Sequence, residues 1–483
     1  MEKIKPYEKY KDSGIAWLGR IPQHWVEFKP KTIGYLFGGL TGKKGDDFKI
    51  EKELNISPYI PFTNIANNFI IDKNKLAFVK TLENEKQNLV KKNDLLFLMS
   101  SENFEDIGKT SLLNDQIEGL YLNSFCKGFR IEDSNFYPKF LNYIFSADVN
   151  RKRLSVEARG FTRINLKIGK VNDLAMFAPA NISEQTAIAN FLDYKTAKID
   201  RFIFKKKQLI KLLNEQKAAI INDAVTKGLN SNAKMKPSGI EWLGDIPEHW
   251  EVRKLKGICK AYGRIGFRGY KTTDLVNQGE GAITISPSNM KYDFMTFEKC
   301  TFLSWEKYEE SPEIKIFNND ILMVKTGSTY GKVGIVRNLA QEATINPQLL
   351  VLKNIKINPD YLYLLLKSNL IQSQVKTEVI GSTIPTISQT KILNFNLVTP
   401  PDKEIESLLA YIEKETSIIT KTIATIEKEI ALVQEYRTAL ISEAVTGKID
   451  VREYKVPSFE VNKEYAEIEE EMSLVAEEEI NLD

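Results

Sequence analysis

Cysteine and histidine are scarce in this chain, and their scarcity limits the chemistry that it can carry. Cys126, Cys259 and Cys300 are scattered along 483 residues and odd in number, which argues against a disulfide framework and favours a reducing, cytoplasmic environment. His24 and His249 are the two histidines, and no cluster with the spacing of metal ligands accompanies them. The sequence therefore predicts neither disulfides nor a metal site.

Long hydrophobic runs are also missing. No stretch of about 18 apolar residues occurs, so the sequence predicts no membrane-spanning helix. The residues from Met1 to Pro6 lack the apolar core of a signal peptide. Hydrophobic residues nevertheless make up 42% of the chain, which suffices for two or more ordinary cores in a protein of this length.

Charge is unevenly distributed along the chain, although the net charge of +3 is small. Residues 453–483 contain eleven carboxylates and two lysines and carry −9, so that residues 1–452 carry +12. A basic body favours a polyanionic partner, because lysine and arginine gain affinity by releasing condensed counterions. The acidic segment is interpreted as a solvated or partly helical appendage, with a docking segment for another subunit as the alternative.

One sequence motif occurs twice and divides the chain into two similar parts. The segment Ser13-Gly-Ile-Ala-Trp-Leu-Gly-Arg-Ile-Pro-Gln-His-Trp25 returns as Ser238-Gly-Ile-Glu-Trp-Leu-Gly-Asp-Ile-Pro-Glu-His-Trp250, with ten of thirteen positions identical. We call the two copies the Trp-His motifs. Chance does not explain a match of this length, so the sequence indicates an internal duplication.

The similarity extends beyond the Trp-His motifs. The further corresponding segments are Asn93-Asp-Leu-Leu96 and Asn319-Asp-Ile-Leu322, Gly160-Phe-Thr162 and Gly381-Ser-Thr383, and the closing segments Ala224-Val-Thr-Lys-Gly228 and Ala444-Val-Thr-Gly447. Each part therefore consists of a Trp-His motif, a variable globular segment and a long helical stretch.

The two globular segments are predicted to mix α and β structure. Short apolar runs bounded by Gly, Asn, Asp and Pro residues, such as Leu95–Leu98 and Ile321–Val324, are typical of strands. Phe140–Phe145 and Tyr361–Leu366 are predicted as short core helices.

Both helical stretches repeat apolar residues with heptad spacing, as a coiled-coil seam does. The predicted seam consists of Ile199, Phe202, Leu209, Leu213 and Ile220 in the first stretch and of Ile419, Ile426, Val433 and Leu440 in the second, with Lys206 and Gln216 as polar interruptions of the first. Each helix would be about 65 Å long at about 1.5 Å per residue. A lone helix of that length would expose its apolar stripe, so the two helices are predicted to pair.

The direction of pairing follows from the connection between the parts. A short polar linker, Asn230–Pro237, joins the first helix to the second globular segment. It suffices if the helices run antiparallel, whereas a parallel pair would require the chain to span the full length of the helices. The predicted fold class is therefore α+β, with two mixed α/β domains separated by two long helices that form an antiparallel coiled coil. A pseudo-two-fold internal repeat would place the domains at opposite ends. The predicted boundaries are 1–181 and 230–401 for the domains, 182–229 and 402–452 for the helices, and 453–483 for the acidic tail.

Three fragments resemble parts of enzyme sites, and each lacks an essential residue. Gly38–Lys44 resembles a phosphate loop but is one residue short and has Lys44 where a Ser or Thr should hold magnesium. Asn346-Pro-Gln-Leu349 lacks the aromatic residue that amino-methyltransferases stack on a flipped base, and is interpreted as a turn. Pro312-Glu-Ile-Lys315 lacks the partner Asp of a nuclease site. The sequence predicts no catalytic residue.

Together these features resemble the specificity subunits of type I restriction-modification enzymes. The resemblance rests on the Trp-His motifs, on Asn319-Asp-Ile-Leu-Met-Val-Lys-Thr-Gly-Ser-Thr-Tyr-Gly-Lys-Val-Gly334, and on paired helices that end in Ala-Val-Thr. It extends to about residue 452 and implies two target-recognition domains, each reading one half of a bipartite, asymmetric site in double-stranded DNA. The first domain departs from the pattern between Asn93 and Lys109.

The resemblance also implies partner proteins. The long helices would act as a spacer and as the docking surface for methyltransferase subunits, two of which are expected and which would bring S-adenosylmethionine. Restriction subunits that use ATP and Mg²⁺ would join them. The chain itself would be a non-catalytic subunit without a bound cofactor, in the cytoplasm of a bacterium or archaeon. A coiled-coil adaptor with two peptide-binding domains is the alternative.

Candidate DNA-binding residues are the basic, hydroxyl and aromatic side chains of loops flanked by glycine, because base edges and phosphates are read by such groups. In the first domain they are Lys43, Lys44, Ser100, Ser101, Lys109, Arg159 and Arg163, and in the second they are Arg264, Arg268, Lys271, Lys325, Thr326, Ser328, Thr329, Tyr330 and Lys332. The tryptophans of the Trp-His motifs, Trp17, Trp25, Trp242 and Trp250, are predicted to pack each domain onto the helix ends.

Overall fold

The chain divides into two compact units. Unit 1 comprises the residues up to Lys207 together with those from Glu427 onward, and unit 2 comprises Gln208–Ile426. The computed structural model describes residues 5–48, 56–82, 85–160, 163–240, 243–291, 295–381 and 384–457. Each unit contains one globular domain and a part of both long helices, because the dividing points fall inside those helices.

The elements of the first domain are short, and the first long helix follows them. The strands are β1 (Tyr10–Asp12), β2 (Arg20–Pro22), β3 (Trp25–Phe28), β4 (Gly34–Gly38), β5 (Ile56–Ile60), β6 (Ala77–Lys80), β7 (Leu95–Leu98), β8 (Ser100–Ser101), β9 (Thr110–Leu112), β10 (Tyr121–Leu122), β11 (Cys126–Ile131), β12 (Ile164–Asn165) and β13 (Met176–Pro179). The helices are α1 (Pro30–Ile33), α2 (Phe62–Asn67), α3 (Pro138–Ser146), α4 (Asp148–Glu157), α5 (Ile168–Asn172) and the long α6 (Ile182–Lys227).

The second domain has a similar set of short elements before the second long helix. Its strands are β14 (Met235–Pro237), β15 (Asp245–Pro247), β16 (Glu251–Lys254), β17 (Lys260–Gly263), β18 (Leu275–Val276), β19 (Gly281–Ile285), β20 (Thr301–Ser304), β21 (Ile321–Val324), β22 (Val333–Ile335), β23 (Ala343–Ile345), β24 (Leu349–Lys353) and β25 (Asn396–Thr399). Its helices are α7 (Leu255–Ile258), α8 (Trp305–Glu309), α9 (Pro359–Lys367), α10 (Asn369–Glu378), α11 (Gln389–Leu393) and the long α12 (Asp402–Val445).

Both domains build a main sheet of the same topology. Its strand order is β4-β11-β7-β9 in unit 1 and β17-β24-β21-β22 in unit 2, and all neighbours are antiparallel. The register agrees too, since Phe129 lies opposite Leu95 as Leu352 lies opposite Ile321. A smaller sheet contains a parallel pair in each unit, β5 with β10 and β19 with β23. The predicted internal repeat is thereby confirmed at the level of strand register.

The repeated Asn-Asp segment has the same local role in both main sheets. Asn93 and Asn319 adopt left-handed backbone angles, with φ of 72° and 77°, which asparagine tolerates better than most residues. The aspartate that follows each of them reaches a basic residue on the neighbouring strand, Arg130 at 2.6 Å in unit 1 and Lys353 at 3.4 Å in unit 2. The Asn-Asp segment therefore forms the turn that leads into the central strand, and its aspartate binds that turn to the neighbouring strand.

The long helices run antiparallel within unit 1. The guanidinium of Arg437 donates to Asp200 at 3.0 Å, and the ammonium of Lys206 lies 2.8 Å from Glu429. Residue numbers therefore rise along α6 while they fall along α12.

Unit 2 shows the same direction. Ala224 and Val225, near the end of α6, belong to one hydrophobic cluster with Ile405 and Leu408 from the start of α12. The fold is thus α+β, with two mixed α/β domains and two long helices that pair as an antiparallel coiled coil.

Burial defines a seam on α6 that differs from the predicted one at two positions. Ile199 and Ile203 are 9% and 8% exposed, whereas Phe202 is half-buried and Leu209 is 40% exposed. The seam continues at Ile210, which is half-buried, so both predicted positions shift by one residue. Heptad spacing alone could not decide between Phe202 and Ile203, or between Leu209 and Ile210, because all four residues are apolar.

On α12 the seam residues lie on the buried side. Ile419, Ile426 and Leu440 are 7%, 5% and 4% exposed, and Val433 is half-buried. Their regular spacing of seven residues keeps one face of the helix against its surroundings.

Two of the three cysteines, Cys126 and Cys259, are buried, and Cys300 is half-buried. Cys126, Cys259 and Cys300 are free thiols, and burial raises the pKa of Cys126 and Cys259 to about 12. Among the residues described, no helix combines the length and hydropathy that a membrane crossing requires.

Candidate nucleic-acid interface

The first Trp-His motif binds the first turn of α6. Trp25 is fully buried, and its indole N–H donates to Oε1 of Glu184 at 3.1 Å. The hydroxyl of Tyr7 donates to the same oxygen at 2.9 Å, and Nε2 of His24 lies 2.8 Å from Oε2. A carboxylate is favoured here, because the N-terminal turn of a helix presents unpaired N–H groups. Burial beside Glu184 raises the pKa of Tyr7 well above its usual value.

The second Trp-His motif makes the corresponding contacts with α12. The indole of Trp250 donates to Oε2 of Glu404 at 3.1 Å, and Nε2 of His249 lies 2.7 Å from the same oxygen. Glu404 is more exposed than Glu184, with side-chain exposures of 28% and 7%. The repeated histidines are therefore bound to a helix carboxylate in both units.

Each Trp-His motif also contacts the end of the other long helix. Gly447 follows α12 with φ of 73°, and a Cβ there would come 3.3 Å from Trp25. Gly228 follows α6 with φ of 75°, and a Cβ there would come 3.2 Å from Trp250. Left-handed backbone together with this close approach requires glycine. The motif thus holds the beginning of one helix beside the end of the other.

Trp17, the first tryptophan of the first Trp-His motif, is not buried as Trp25 is. Trp17 is 46% exposed, and the guanidinium of Arg153 on α4 stacks over its ring at 4.6 Å. Its described partner thus belongs to the globular domain and not to the long helices. Trp242 lies outside the described residues.

In unit 1, two loops meet beyond one end of the main sheet. They are residues 99–109, which follow β7, and residues 159–160 with 163–166, which precede α5. Ser100 and Ser101 of β8 pair with β12, and the amide of Leu166 donates to the carbonyl of Met99 at 2.9 Å. We call these segments the first paired loops.

Unit 2 brings the corresponding segments together. They are residues 325–332, which follow β21, and residues 380–381 with 384–387, which precede α11. Thr326 bridges to Thr386, and the amide of Ile387 donates to the carbonyl of Lys325 at 2.9 Å. These segments are the second paired loops, and their backbone contacts match those of the first residue for residue.

The first and second paired loops differ in the length of the loop that follows the central strand, β7 or β21. Gly108 and Gly331 close the loops with positive φ, and their amides return to the carbonyls of Leu98 and Val324 at 2.9 and 2.8 Å. Between these anchors the first loop is three residues longer than the second. The departure noted in the sequence is therefore an insertion at a shared site.

Most candidates of the second domain lie in the second paired loops, namely Lys325, Thr326, Ser328, Thr329, Tyr330 and Lys332. Ser328 and Thr329 are exposed, whereas half-buried Tyr330 packs against the core. They form a surface of hydroxyl and ammonium groups, which can donate to base edges and phosphates.

The remaining candidates of the second domain lie in the loop after β17. Arg264 is 5% exposed and donates to the carbonyl of Ile345 at 3.2 Å and to the hydroxyl of Thr344 at 3.0 Å. Arg268 lies 3.4 Å from Glu313, and Lys271 is exposed. The donors of Arg264 are thus engaged inside the domain, which leaves Arg268 and Lys271 as the accessible cations of this loop.

In the first domain, the candidates Ser100, Ser101, Lys109, Arg159 and Arg163 lie in the first paired loops. Lys109 is bound to Asp106 at 2.6 Å, and Arg159 donates to the carbonyl of Ala158 at 2.9 Å. The guanidinium of Arg163 stacks over the exposed ring of Phe125 at 4.2 Å. An aromatic ring and a guanidinium therefore dominate this surface.

Lys43 and Lys44 lie apart from the first paired loops, in the loop after β4. The ammonium of Lys43 lies 2.5 Å from Glu85, and its side chain is 8% exposed. Lys44 is exposed. Lys43 is therefore held by a carboxylate, as Arg268 is in the second domain.

Sequence reasoning interpreted Asn346-Pro-Gln-Leu349, which leads into β24, as a turn, but it missed the corresponding turn before β11 and the contacts of both turns with the paired loops. In each, an asparagine accepts from the amide two residues later at 3.0 Å, Asn123 from Phe125 and Asn346 from Gln348. The carbonyls of Phe125 and Gln348 then accept from the amides of Met99 and Lys325 at 3.2 and 2.8 Å. An asparagine three residues before each strand was the available signal.

The two sets of paired loops offer different groups for binding. Across the described residues, no group of His, Cys, Asp and Glu side chains could hold a metal ion. Arg163 of the first paired loops stacks on Phe125, whereas the second paired loops offer hydroxyl and ammonium groups. One backbone framework thus presents two different chemistries.

A family model matches the chain twice. The model is described as the type I restriction modification DNA specificity domain, and it covers residues 22–212 and 247–428. Each match covers most of one domain and the first part of the long helix that follows it.

Curated proteins and a solved structure resemble the chain over nearly its whole length. The specificity subunit of the type I restriction enzyme MjaVIII from Methanocaldococcus jannaschii is 24% identical over 440 residues, 90% of this chain and 95% of the relative. That of EcoKI from Escherichia coli K12 is 23% identical over 443 residues, 89% and 90% of the two chains. A chain from a study of assembly and conformational transition in the type I R-M system aligns with a TM-score of 0.64, at 12% identity, over 89% of this chain and 99% of that one. The structural likeness shows a shared fold.

Proposed function

The chain belongs to the type I restriction modification DNA specificity family, and from this premise we propose that each of its domains reads one half of a bipartite, asymmetric DNA site. The observation that carries the proposal is the pair of dissimilar surfaces on one repeated framework. Homologous loops would approach DNA in the same manner, while their different side chains would select different bases. Half-sites read in this way differ in sequence, unlike the palindrome that a homodimer recognises.

The basic body of the chain supports a nucleic-acid partner. Residues 1–452 carry +12, and the candidate set includes exposed cations such as Lys44 and Lys271. Neutralised phosphates release counterions, which would supply sequence-independent affinity. Base contacts in the paired loops would add selectivity to that affinity.

The proposal includes partner subunits that perform the chemistry. Two methyltransferase subunits would dock on the long helices and bring S-adenosylmethionine, and restriction subunits would bring ATP and Mg²⁺. The chain itself would contribute no catalytic residue and no cofactor. Its place of action would be the cytoplasm of a bacterium or archaeon. The names of the curated relatives, which are specificity subunits of type I restriction enzymes, support this assignment.

Mapping of methylated adenines tests the bipartite reading directly. The chain is co-expressed with the neighbouring methyltransferase subunit, and modified adenines are located across the host genome. We expect one motif of two unlike parts with a constant gap between them. A single continuous motif, or methylation without a motif, would contradict the proposal.

The purified chain distinguishes DNA reading from an adaptor role and from self-contained catalysis. We expect salt-dependent binding of duplex DNA in a gel-shift assay, which a coiled-coil adaptor for peptides would lack. Incubation with DNA, Mg²⁺ and labelled S-adenosylmethionine is expected to yield neither cleavage nor methylation. Either product would show that the chain is an enzyme in its own right.

A further inference from the structure

A lysine lies at the end of the main sheet in unit 1, beside the first paired loops. Lys127 at the start of β11 pairs with Gly38 at the end of β4. A Cβ on Gly38 would come 3.4 Å from the ammonium of Lys127. The ammonium therefore lies over the last residue of β4, on the face where the glycine has no side chain. Lys127 is half-buried.

A lysine occupies the same place in unit 2. Lys325 follows β21 and belongs to the second paired loops. A Cβ on Gly263, the last residue of β17, would come 3.4 Å from the ammonium of Lys325. Gly263 corresponds to Gly38, because each ends the first strand of its main sheet. The two ammonium groups thus occupy one point of the repeated framework.

These lysines do not correspond in the sequence repeat. Lys127 corresponds to Leu350, since each pairs with the glycine that ends the first strand. Lys325 corresponds to Met99, since each amide donates to the carbonyl of the residue before the neighbouring strand. The positive charge therefore reaches the shared point from β11 in one unit and from the loop after β21 in the other. Inheritance from a common ancestral domain does not account for such an arrangement.

Neither ammonium has an ion pair or a hydrogen bond within the part of the chain that the structure describes. By contrast, Lys109 of the first paired loops is bound to Asp106 at 2.6 Å, and Lys43 in the loop after β4 is bound to Glu85 at 2.5 Å. Burial also lowers the pKa of Lys325. A half-buried charge without a counter-charge costs free energy, so an external anion would stabilise it.

We propose that Lys127 and Lys325 are equivalent contacts to the DNA backbone, each binding a phosphate of its own half-site. The inference rests on the proposed function. The two half-sites differ in their bases, so that the sugar-phosphate backbone is what they have in common. Both domains place an ammonium group at the same point although the lysines come from different segments, which fits a contact with the sugar-phosphate backbone. Such a phosphate contact would hold the paired loops against the bases they read.

Salt dependence of DNA binding provides the test. Lys127→Met and Lys325→Met are made in the full chain, and binding is measured with the methyltransferase subunit present, on the mapped site and on unrelated duplex. Each variant should lower the magnitude of the slope of log Kobs against log salt by about 0.9, the value for one phosphate of B-DNA. The loss of affinity should be equal on both DNAs, and the methylated motif should not change.

The matched controls are Lys31→Met and Lys256→Met. These lysines lie on α1 and α7, immediately before β4 and β17, at the opposite ends of the strands that finish at Gly38 and Gly263. The control variants remove one positive charge from each unit, as the test variants do, so a general effect of net charge on the salt slope will appear in the controls too. We expect their salt slopes to equal that of the unmodified chain.

Two double variants move the lysine of each unit to the position that carries it in the other unit. They show whether the salt slope depends on the position of the ammonium group or only on the net charge. Lys127→Leu with Met99→Lys gives the first domain the arrangement of the second, and Lys325→Met with Leu350→Lys does the reverse. Both double variants should regain the salt slope that the single variants lose. Leu350 is fully buried, so circular dichroism and the melting temperature verify that its replacement still folds.

The outcomes discriminate between the inference and the function on which it rests. If a lysine variant changes one position of the methylated motif, that lysine reads a base and the phosphate assignment is wrong. An unchanged salt slope in both single variants also overturns the assignment. If the unmodified complex binds no DNA and methylates no motif, the proposed function itself fails.

Discussion

Burial of one carboxylate distinguishes the two otherwise similar Trp-His motifs. Glu184 accepts from Tyr7 and Trp25 and contacts His24, and its side chain is 7% exposed. Glu404 has the corresponding Trp and His contacts but is 28% exposed. Water can replace a lost partner at Glu404 more readily than at Glu184. The same substitution should therefore have unequal costs in the two units.

Glu184→Gln is predicted to destabilise the protein more than Glu404→Gln. A neutral amide has one acceptor oxygen where Glu184 uses two, so its NH2 group either faces a donor or requires the His24 tautomer whose Nε2 accepts. In both cases the charge-assisted hydrogen bonds of the carboxylate are lost. The expected cost is about 1–3 kcal/mol at Glu184, the usual range for a buried polar group left unpaired, and less at Glu404. Urea unfolding followed by tryptophan fluorescence measures both. Equal midpoints for the two variants would contradict the unequal roles.

The two arginines of the loop after β17 should separate structure from DNA binding. Arg264→Ala leaves the carbonyl of Ile345 and the hydroxyl of Thr344 without their donor, so we expect a loss of about 1–3 kcal/mol in unfolding free energy. Arg268 is a surface residue paired with Glu313, and Arg268→Ala should weaken binding of the cognate site at unchanged stability. Thermal melting and gel-shift titration provide the two readouts. Normal DNA affinity and salt slope in Arg268→Ala would remove Arg268 from the interface.

At the scale of single elements, the long helices were the most predictable part of the chain. Their heptad pattern extends over many turns, and it located α6 and α12 and their pairing. The seam of α6 was harder, because Phe202 and Ile203 are adjacent and equally apolar. Which of them faces inward depends on the partner helix and on Asp200 and Lys206, whose ion pairs with α12 fix the rotation of α6.

Alanine substitution at one seam position seen in the structure and at one position predicted from the sequence tests the corrected register. Ile203→Ala should cost about 2–4 kcal/mol, because it removes a buried side chain from a packed interface. Leu209→Ala, at a predicted position that is 40% exposed, should cost clearly less. Chemical denaturation of both variants measures the difference. A larger loss at Leu209 would restore the seam inferred from the sequence.

Short strands and the interface were less predictable than the helices. Leu95–Leu98 and Ile321–Val324 were recognisable as strands because turn residues bound them, and both are strands β7 and β21. The sequence also identified the segments that form the paired loops, since they are repeated. It could not identify Lys127, because the relation between Lys127 and Lys325 exists only after β11, β4 and the loop beyond β21 meet at one end of a sheet.

At the scale of the whole molecule, the distribution of charge can be counted directly from the sequence. Residues 1–457 and 458–483 differ in sign, because the last 26 residues contain ten carboxylates and one lysine. The described chain continues to Pro457, with Tyr454 packed against Phe191 at a ring distance of 4.9 Å. A chain that ends at Pro457 therefore keeps this contact and changes its net charge from +3 to +12.

Removal of residues 458–483 is predicted to strengthen non-specific DNA binding without changing the methylated motif. The acidic segment lowers the positive potential that attracts a duplex, and its carboxylates compete with phosphates for the same lysines and arginines. The truncated chain should bind random duplex several-fold more tightly at 50 mM salt. The difference should shrink as salt increases, because screening weakens both the attraction and the competition. A variant with the ten carboxylates replaced by amides controls for the loss of chain length. If it binds like the full chain while the truncated protein binds more tightly, the effect comes from excluded space and not from charge.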